Sequence, residues 1–314
     1  MTGFILAAGL GTRLRPLTDR IPKALVTVCG ISLLERACSF LAGSGVTRLG
    51  VNAHYRADNV FSAAEQLAVR PEFFHERDVI RGTGGALYFA RDFLAADAAF
   101  CVVNVDIVST VNLRSLAERF ERENCVCALV AAPPRAGGTI RYELASGQYA
   151  GTVAERPADP GLASADFIGM AFYRREFLTV LGPDDFSVVP VWRRAREKGL
   201  SVRVFIDPAA YWCDIGTPRS LAQAHFDAID GTAGLSVPET ICIDRRACSA
   251  YPRSMTEGVR AALGRYVWCE SIDITLTARL RRSVVMEGAR VGENADIAET
   301  IITPWGEIHF GGTL

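Results

Sequence analysis

The sequence has almost no charge imbalance: 34 Lys and Arg face 35 Asp and Glu over 314 residues, a formal net charge of −1. A chain of this kind has no global basic field, which excludes nucleic acid and an anionic membrane surface as partners held by bulk charge. Any anionic ligand must be held by local chemistry. The sequence also lacks an apolar run reaching the roughly 18 uncharged residues of a membrane span. Met1–Ala8 lacks the basic start of a signal peptide, so neither export nor a membrane partner is expected. There is no Cys-x-x-Cys pair, and the nine cysteines are odd in number and scattered. They read as reduced, buried thiols of a cytoplasmic protein. What is present is ordinary globular material, 49% hydrophobic and 22% charged, which argues against disorder. At about 100–200 residues per domain, the length suggests two domains, or one large one with an appendage.

The first half alternates short apolar runs with amphipathic segments. Strands are expected at residues 3–7, 46–52, 73–76, 100–103 and 125–131, and helices at 32–42, 57–68, 85–93 and 113–122. This β-α-β-α order predicts an α/β fold with a mostly parallel sheet and helices on both faces. Ligands in such folds gather at the carboxyl ends of the strands, so the polar segments after Ala7, Glu76 and Val103 should meet in one crevice. Further on, strands are expected at 142–146, 152–155 and 167–173, helices at 188–198 and from about Thr217, and a Gly-rich break at 230–234. The break is taken as a domain boundary, giving 1–230 and 231–314.

The tail differs in kind. Ala278-x-Leu280-x-x-Ser283-Val284-Val285 recurs as Ala295-x-Ile297-x-x-Thr300-Ile301-Ile302, offset by 17 residues at every matched position. The preserved order of small, aliphatic and β-branched residues predicts a small left-handed parallel β-helix-like coil.

The strongest chemical signal is Leu6-Ala7-Ala8-Gly9-Leu10-Gly11-Thr12-Arg13-Leu14-Arg15-Pro16-Leu17-Thr18, followed by Pro22-Lys23. A buried strand runs straight into small residues and glycines, which let backbone N–H groups approach a phosphate chain. Arg13 can fork onto phosphate oxygens, and Lys23 adds a point charge. No Gly-Lys-Ser/Thr follows, so this is not a Walker A loop. The third glycine of the dinucleotide fingerprint is replaced by Leu14.

This segment resembles the signature of the sugar-1-phosphate nucleotidyltransferases, and every fixed position between Leu6 and Lys23 is met. The resemblance implies a Rossmann-like, GT-A-like fold over residues 3–230. It places Leu6, Ala7, Ala8 and Gly9 along the nucleoside and Gly11, Thr12 and Arg13 around the triphosphate. Lys23 would meet phosphate, with Arg13 and Lys23 as the catalytic pair. Gly82-Thr83-Gly84 is similar to the family's base-recognition loop, with Glu76 as an acceptor for a base edge. Val105-Asp106, in Val103-Asn104-Val105-Asp106, stands where the family has a Gly-Asp pair, so Val105 replaces the glycine. Glu155-Arg156-Pro157 resembles Glu-Lys-Pro, with Arg156 for lysine, and Gly169 sits in a strand lining the sugar pocket. Asn104, Glu155, Arg156 and Gly169 form the implied sugar-phosphate set. Trp212-Cys213-Asp214-Ile215-Gly216-Thr217-Pro218 resembles the family's Trp-x-Asp-Ile-Gly-Thr-Pro, so Asp106 and Asp214 are the implied Mg²⁺ carboxylates.

The implied partners are an NTP (GTP, UTP or dTTP) and a sugar 1-phosphate, with NDP-sugar and pyrophosphate as products. A Gly-Thr-Gly-Gly segment with a coil tail is most similar to the mannose-1-phosphate guanylyltransferase-type and NDP-sugar synthase group. The alternatives are a non-catalytic regulatory relative and a cytidylyltransferase acting on a non-sugar phosphate such as phosphocholine. The first should lack Arg13, Lys23 or an aspartate; the second should lack Glu155-Arg156-Pro157 and the coil. The coil offers edges for a homodimer or a cap for the catalytic domain. His54 and His225 read as structural, because a phosphate nucleophile needs no base.

Overall fold

The structure, a computed structural model, describes residues 1–157 and 159–311. It divides into two compact units. One comprises Met1–Leu10, Leu34–Ile107 and Val111–Ala210; the other comprises Gly11–Leu33, Val108–Thr110 and the chain from Tyr211 onward.

The first unit is built on one sheet of nine strands: β1 (Thr2–Leu6), β2 (Arg48–Ala53), β3 (Glu72–His75), β4 (Ala99–Asn104), β5 (Cys127–Ala132), β6 (Ile140–Tyr142), β7 (Tyr149–Thr152), β8 (Ala163–Arg174) and β9 (Val202–Ile206). The order across it is β3-β2-β1-β4-β8-β5-β9, with β6 and β7 added along the first half of β8. β1 pairs in parallel with β2 and β4, β2 with β3, and β5 with β9. β8 alone among the seven ordered strands runs against its neighbours, antiparallel to β4 and β5. The sheet is thus mixed but mostly parallel, and the expected α/β class holds. β1 is buried on both faces, with Phe4 and Ile5 inaccessible, which is why it reads as an unbroken apolar run.

Helices Leu33–Gly43, Ala57–Glu65, Leu113–Arg122 and Val188–Glu197 fall where the periodicity places them. Three local expectations are corrected. The helix expected from Gly85 begins at Gly82 and stops at Phe89, with a separate turn at Arg91–Leu94. The strand expected at 152–155 lies at Tyr149–Thr152 instead. Residues 153–155 turn back, because the Glu155 carboxylate accepts from the Thr152 N–H (2.9 Å). β9 was not anticipated. It follows the Val188–Glu197 helix after a short turn, and its parallel pairing with β5 completes the sheet edge.

The second unit holds a short hairpin of Thr27–Val28 and Ile31–Ser32, a helix Pro218–Asp230, and the coil. Thr217 caps that helix with Ser220 in a reciprocal box, Pro218 occupies its first turn, and Gly231 in the left-handed region ends it. The coil stacks in parallel at the expected offset. Arg279–Arg281 pairs with Asp296–Ala298 so that Leu280 meets Ile297, and Val284 and Val285 meet Ile301 and Ile302. Single parallel bridges join Leu263 to Leu280 and Ile274 to Val291. Corners recur in step: Arg282 and Glu299 both have positive φ (46° and 51°). The next residues, Ser283 and Thr300, donate to the Arg281 and Ala298 carbonyls at 2.9 and 2.7 Å. The repeated small hydroxyl is therefore a corner cap, which explains its place in the repeat. Antiparallel strands Ile241–Asp244 and Gly306–His309 cover the two ends of this ladder.

Candidate active site

In the first unit three strands end level. Leu6 stands in register with Asn52 on one side and Asn104 on the other. The Val105 N–H donates to the Leu6 carbonyl (3.1 Å), which turns the chain toward Asp106. Val105 itself is buried, so the residue that departs from the family's glycine packs inward. Ala7 and Ala8 are buried and Gly9 is exposed, with nothing within 4 Å of where a Cβ would lie. Space for a ligand to approach the backbone is open there.

Beneath this turn lies a buried polar relay. The Ala7 N–H donates to Asn52 Oδ1 (2.7 Å), and Asn52 Nδ2 donates to Glu76 Oε1 (2.7 Å). Glu76 Oε2 accepts from the Arg81 N–H (2.7 Å), and the Glu76 carbonyl accepts from His54 Nδ1 (2.6 Å). Asn52 and Glu76 are both buried. The carboxylate expected to face a base edge is therefore committed on both oxygens to struts within the protein. Asn52 was missed in the sequence; the available signal was a polar residue at the carboxyl end of a strand that should lie level with Leu6.

Gly82, Thr83 and Gly84 form the first turn of a helix rather than a free loop. The Gly84 N–H donates to the Phe186 carbonyl (3.0 Å), and the Val188 N–H donates to the Thr83 hydroxyl (2.9 Å). A Cβ on Gly84 would sit 2.6 Å from the Asp185 carbonyl oxygen. These glycines admit the 185–187 backbone, and Asp185 is fixed in turn by a two-pronged pair with Arg194 (2.7 and 2.8 Å). The Arg194 hydrogen bonds hold the Asp185 carboxyl below the usual carboxylate range, as does the Gly182 N–H.

Leu6, Thr83, Asn104 and Gly169 line one cavity of about 190 Å³, walled by Phe167 and Trp192. Gly169 lies in a bulge of β8 with φ 71°, and a Cβ there would be 2.7 Å from Ile107 and 2.9 Å from Asn104 Nδ2. Glu155 and Arg156 line a different, more polar cavity of about 410 Å³ together with Tyr149, Arg193 and Arg196. Hydrogen bonds from the Thr152 N–H and hydroxyl, and the Arg193 charge at 2.9 Å, hold Glu155 below the usual carboxylate range. Arg156 pairs with Asp159 (3.3 Å). The four residues of the implied sugar-phosphate set are thus split two and two.

The second unit holds Gly11, Thr12, Arg13, Lys23 and Asp214. Gly11 takes φ 65°, a conformation glycine adopts without strain. A Cβ there would be 2.9 Å from Thr18 Cγ2 and 3.1 Å from the Lys23 Cβ. The Thr18 hydroxyl donates to the Gly11 carbonyl (2.8 Å), and the Leu14 N–H donates to the same oxygen (2.9 Å). Thr12 and Arg13 are exposed and Lys23 is buried. Arg13 lies 3.6 Å from Asp214 and lies over Gly216, where a Cβ would be 2.7 Å from Nη2. Backbone and hydroxyl bonds tie Tyr211 to Ser109 and Thr110, and this places the strand Trp212–Asp214. Among the described residues no cluster of three or more metal-ligating side chains occurs.

The carboxyl ends of the parallel strands carry an apolar cavity with a few polar groups, and the chain leaves β1 into a glycine turn; both are features of nucleotide-handling α/β enzymes. Residues 2–231 match the family described as Nucleotidyl transferase; the chain belongs to that family, among its sugar-1-phosphate nucleotidyltransferases. It is 31% identical over 233 residues to the N-acetylmuramate alpha-1-phosphate uridylyltransferase of Caulobacter vibrioides, covering 70% of this chain and 94% of the relative. It is 25% identical over 327 residues to the mannose-1-phosphate guanyltransferase of Candida albicans, covering 96% of this chain and 86% of the relative. In other fungal mannose-1-phosphate guanyltransferases the match spans 62% of the relative's length. HddC from Yersinia pseudotuberculosis, solved with GMP-PN, superposes with a TM-score of 0.59 at 22% identity, covering 71% of this chain and 97% of HddC, which bears on the fold alone.

Proposed function

We propose that the chain transfers the nucleotidyl group of GTP, UTP or dTTP to a sugar 1-phosphate by in-line attack on the α-phosphorus, releasing pyrophosphate. The observation that carries this reading is the level ending of Leu6, Asn52 and Asn104 beside the cavity, with the chain running directly into Gly9–Arg13. The nucleophile is a phosphate monoester oxygen, largely dianionic at pH 7 because its second pKa is about 6. No base is needed, which agrees with His54 and His225 being engaged by backbone groups.

Leu6, Ala7, Ala8 and Gly9 line the nucleoside, and Gly11, Thr12 and Arg13 wrap the triphosphate. Arg13 and Lys23 hold charge on the departing pyrophosphate. Gly82, Thr83 and Gly84 face the base, and Glu76 supports that turn through the Arg81 N–H and the Ala7 backbone through Asn52. Asn104 and Gly169 border the sugar, and Glu155 and Arg156 meet its phosphate from the neighbouring cavity. Asp106 and Asp214 are the residues that would hold Mg²⁺. Two carboxylates suit an ion that keeps waters and takes phosphate oxygens for its remaining positions. When bound, Mg²⁺ supplies neutralisation of the repelling phosphates.

We take residues 1–230 as the transferring portion and 231–314 as the appended coil; the family match ending at residue 231 supports that cut. A cytoplasmic setting is supported by nine free cysteines, eight of them buried, with no helix among the described residues long and apolar enough to cross a membrane. A homodimer through the coil is supported by exposed Ile272, Leu276 and Trp305, and light scattering checks it by mass. The function itself is tested by a screen of NTPs against sugar 1-phosphates and phosphocholine, read by pyrophosphate release with and without Mg²⁺. Release with one sugar 1-phosphate and one of the three NTPs is expected. Turnover of CTP with phosphocholine, or none with any pair, refutes the reading.

A further inference from the structure

The hairpin that follows the signature turns on two residues, Cys29 and Gly30, both with positive φ (52° and 74°), between the paired Val28 and Ile31. In this turn geometry the N–H groups of both central residues point away from the hairpin's own ladder. Cys29 is buried, so water does not serve its N–H. The two donors are met from far along the chain.

The Cys29 N–H donates to His225 Nε2 (3.0 Å), 196 residues away, on the helix Pro218–Asp230. His225 Nδ1 donates to the Leu221 carbonyl (2.8 Å), which fixes the ring with its Nε2 lone pair toward the turn. The Gly30 N–H donates to the carboxylate of Glu270 in the coil, which also accepts from Trp268 Nε1 (2.9 Å) and from the Glu287 N–H. Pro238 closes the seat: a Cβ on Gly30 would lie 3.0 Å from its Cγ.

The turn is linked rigidly to the signature. The Leu33 N–H donates to the Val26 carbonyl (3.0 Å), and the Val26 N–H donates to Lys23 (3.1 Å). The Lys23 stem packs against Gly11, two residues before Arg13.

We propose that the coil and the helix before it act as a clamp on the signature: Glu270 and His225 capture the two N–H groups of the Cys29–Gly30 turn and thereby hold Arg13 and Lys23 in their working positions. Glu270 and His225 are positioning residues that touch no substrate. A carboxylate is buried here, despite the desolvation burial imposes on it, because it collects three donors from three separate segments. The tail is then part of what shapes the nucleotide loop rather than an inert appendage. The structural half of this proposal is independent of the function assigned above; the kinetic half rests on it.

The test uses the full chain with Glu270→Ala and, separately, Gly30→Ala, which leaves the carboxylate in place but drives the turn off its seat. Amide hydrogen exchange is read over residues 11–33 and over the coil ladder at 279–285, alongside the KM for each substrate. Both variants should exchange about tenfold faster over 11–33 with the ladder unchanged, because opening is local. The NTP KM should rise by about tenfold, the loss expected from one buried charge-assisted hydrogen bond, while the KM for the sugar 1-phosphate stays within about threefold. Unchanged exchange over 11–33 in both variants overturns the clamp. Faster exchange with an unmoved NTP KM upholds the clamp and refutes the assignment of Arg13 and Lys23 to the nucleotide.

Discussion

Asn52 carries two buried bonds: its Oδ1 takes the Ala7 N–H and its Nδ2 donates to Glu76 Oε1. Asn52→Ala leaves a buried N–H and a buried carboxylate oxygen without those partners. It should lower unfolding free energy by about 2–4 kcal/mol, measured by chemical denaturation. Arg13 is the opposite case, an exposed side chain beside Asp214 whose loss should leave the fold intact. Arg13→Ala should reduce kcat by about 100-fold or more with little change in melting temperature, read by pyrophosphate release. An effect confined to sugar 1-phosphate affinity would contradict its role. The place of Arg13 in the signature was legible in the sequence because the signature is contiguous. The role of Glu76 was not, because its partner lies 24 residues away across a strand pairing that local pattern does not encode.

Among the elements, the first turn of the Gly82–Phe89 helix depends on the segment 182–187 lying against it, and Asp185 anchors that segment. Its carboxyl is held below the usual range, chiefly by Arg194, so the ionised form is favoured by the fold. That stabilisation is present above the ordinary carboxylate value and is lost as pH falls through the lower value in the folded protein. Asp185→Asn should therefore be less stable than the parent by about 1–2 kcal/mol at pH 7, allowing for the exposed side of Arg194. The gap should narrow toward zero in strong acid. Equal gaps at both pH values in paired denaturation curves would remove the ion pair from the account. Gly169→Ala should strain the β8 bulge by about 1–3 kcal/mol and raise the KM for the sugar 1-phosphate through displacement of Asn104. The bulge was invisible to the sequence, as was the antiparallel sense of β8, since both arise from pairing with β4 and β5. The coil, in contrast, was legible, because its period of 17 is written locally as Ala-x-Leu/Ile-x-x-Ser/Thr and the hydroxyl has a local task at each corner.

For the molecule as a whole, a net charge of −1 is compatible with handling a triphosphate, because an anion can be met by local groups rather than by the overall charge. Arg13 and Lys23 flank the glycine turn, and Asp106 and Asp214 are the carboxylates proposed to hold Mg²⁺. Burial pushes the Cys38 and Cys269 thiols up to about 12, far from a nucleophilic range. The proposed reaction is displacement at the α-phosphorus by a sugar 1-phosphate. Phosphorus NMR of a turnover mixture tests it most directly. Pyrophosphate and NDP-sugar should appear together in equal amounts, only with Mg²⁺ present, and neither with Asp106→Asn. Orthophosphate and nucleoside diphosphate as the products, or equal rates for Asp106→Asn and the parent, would contradict it.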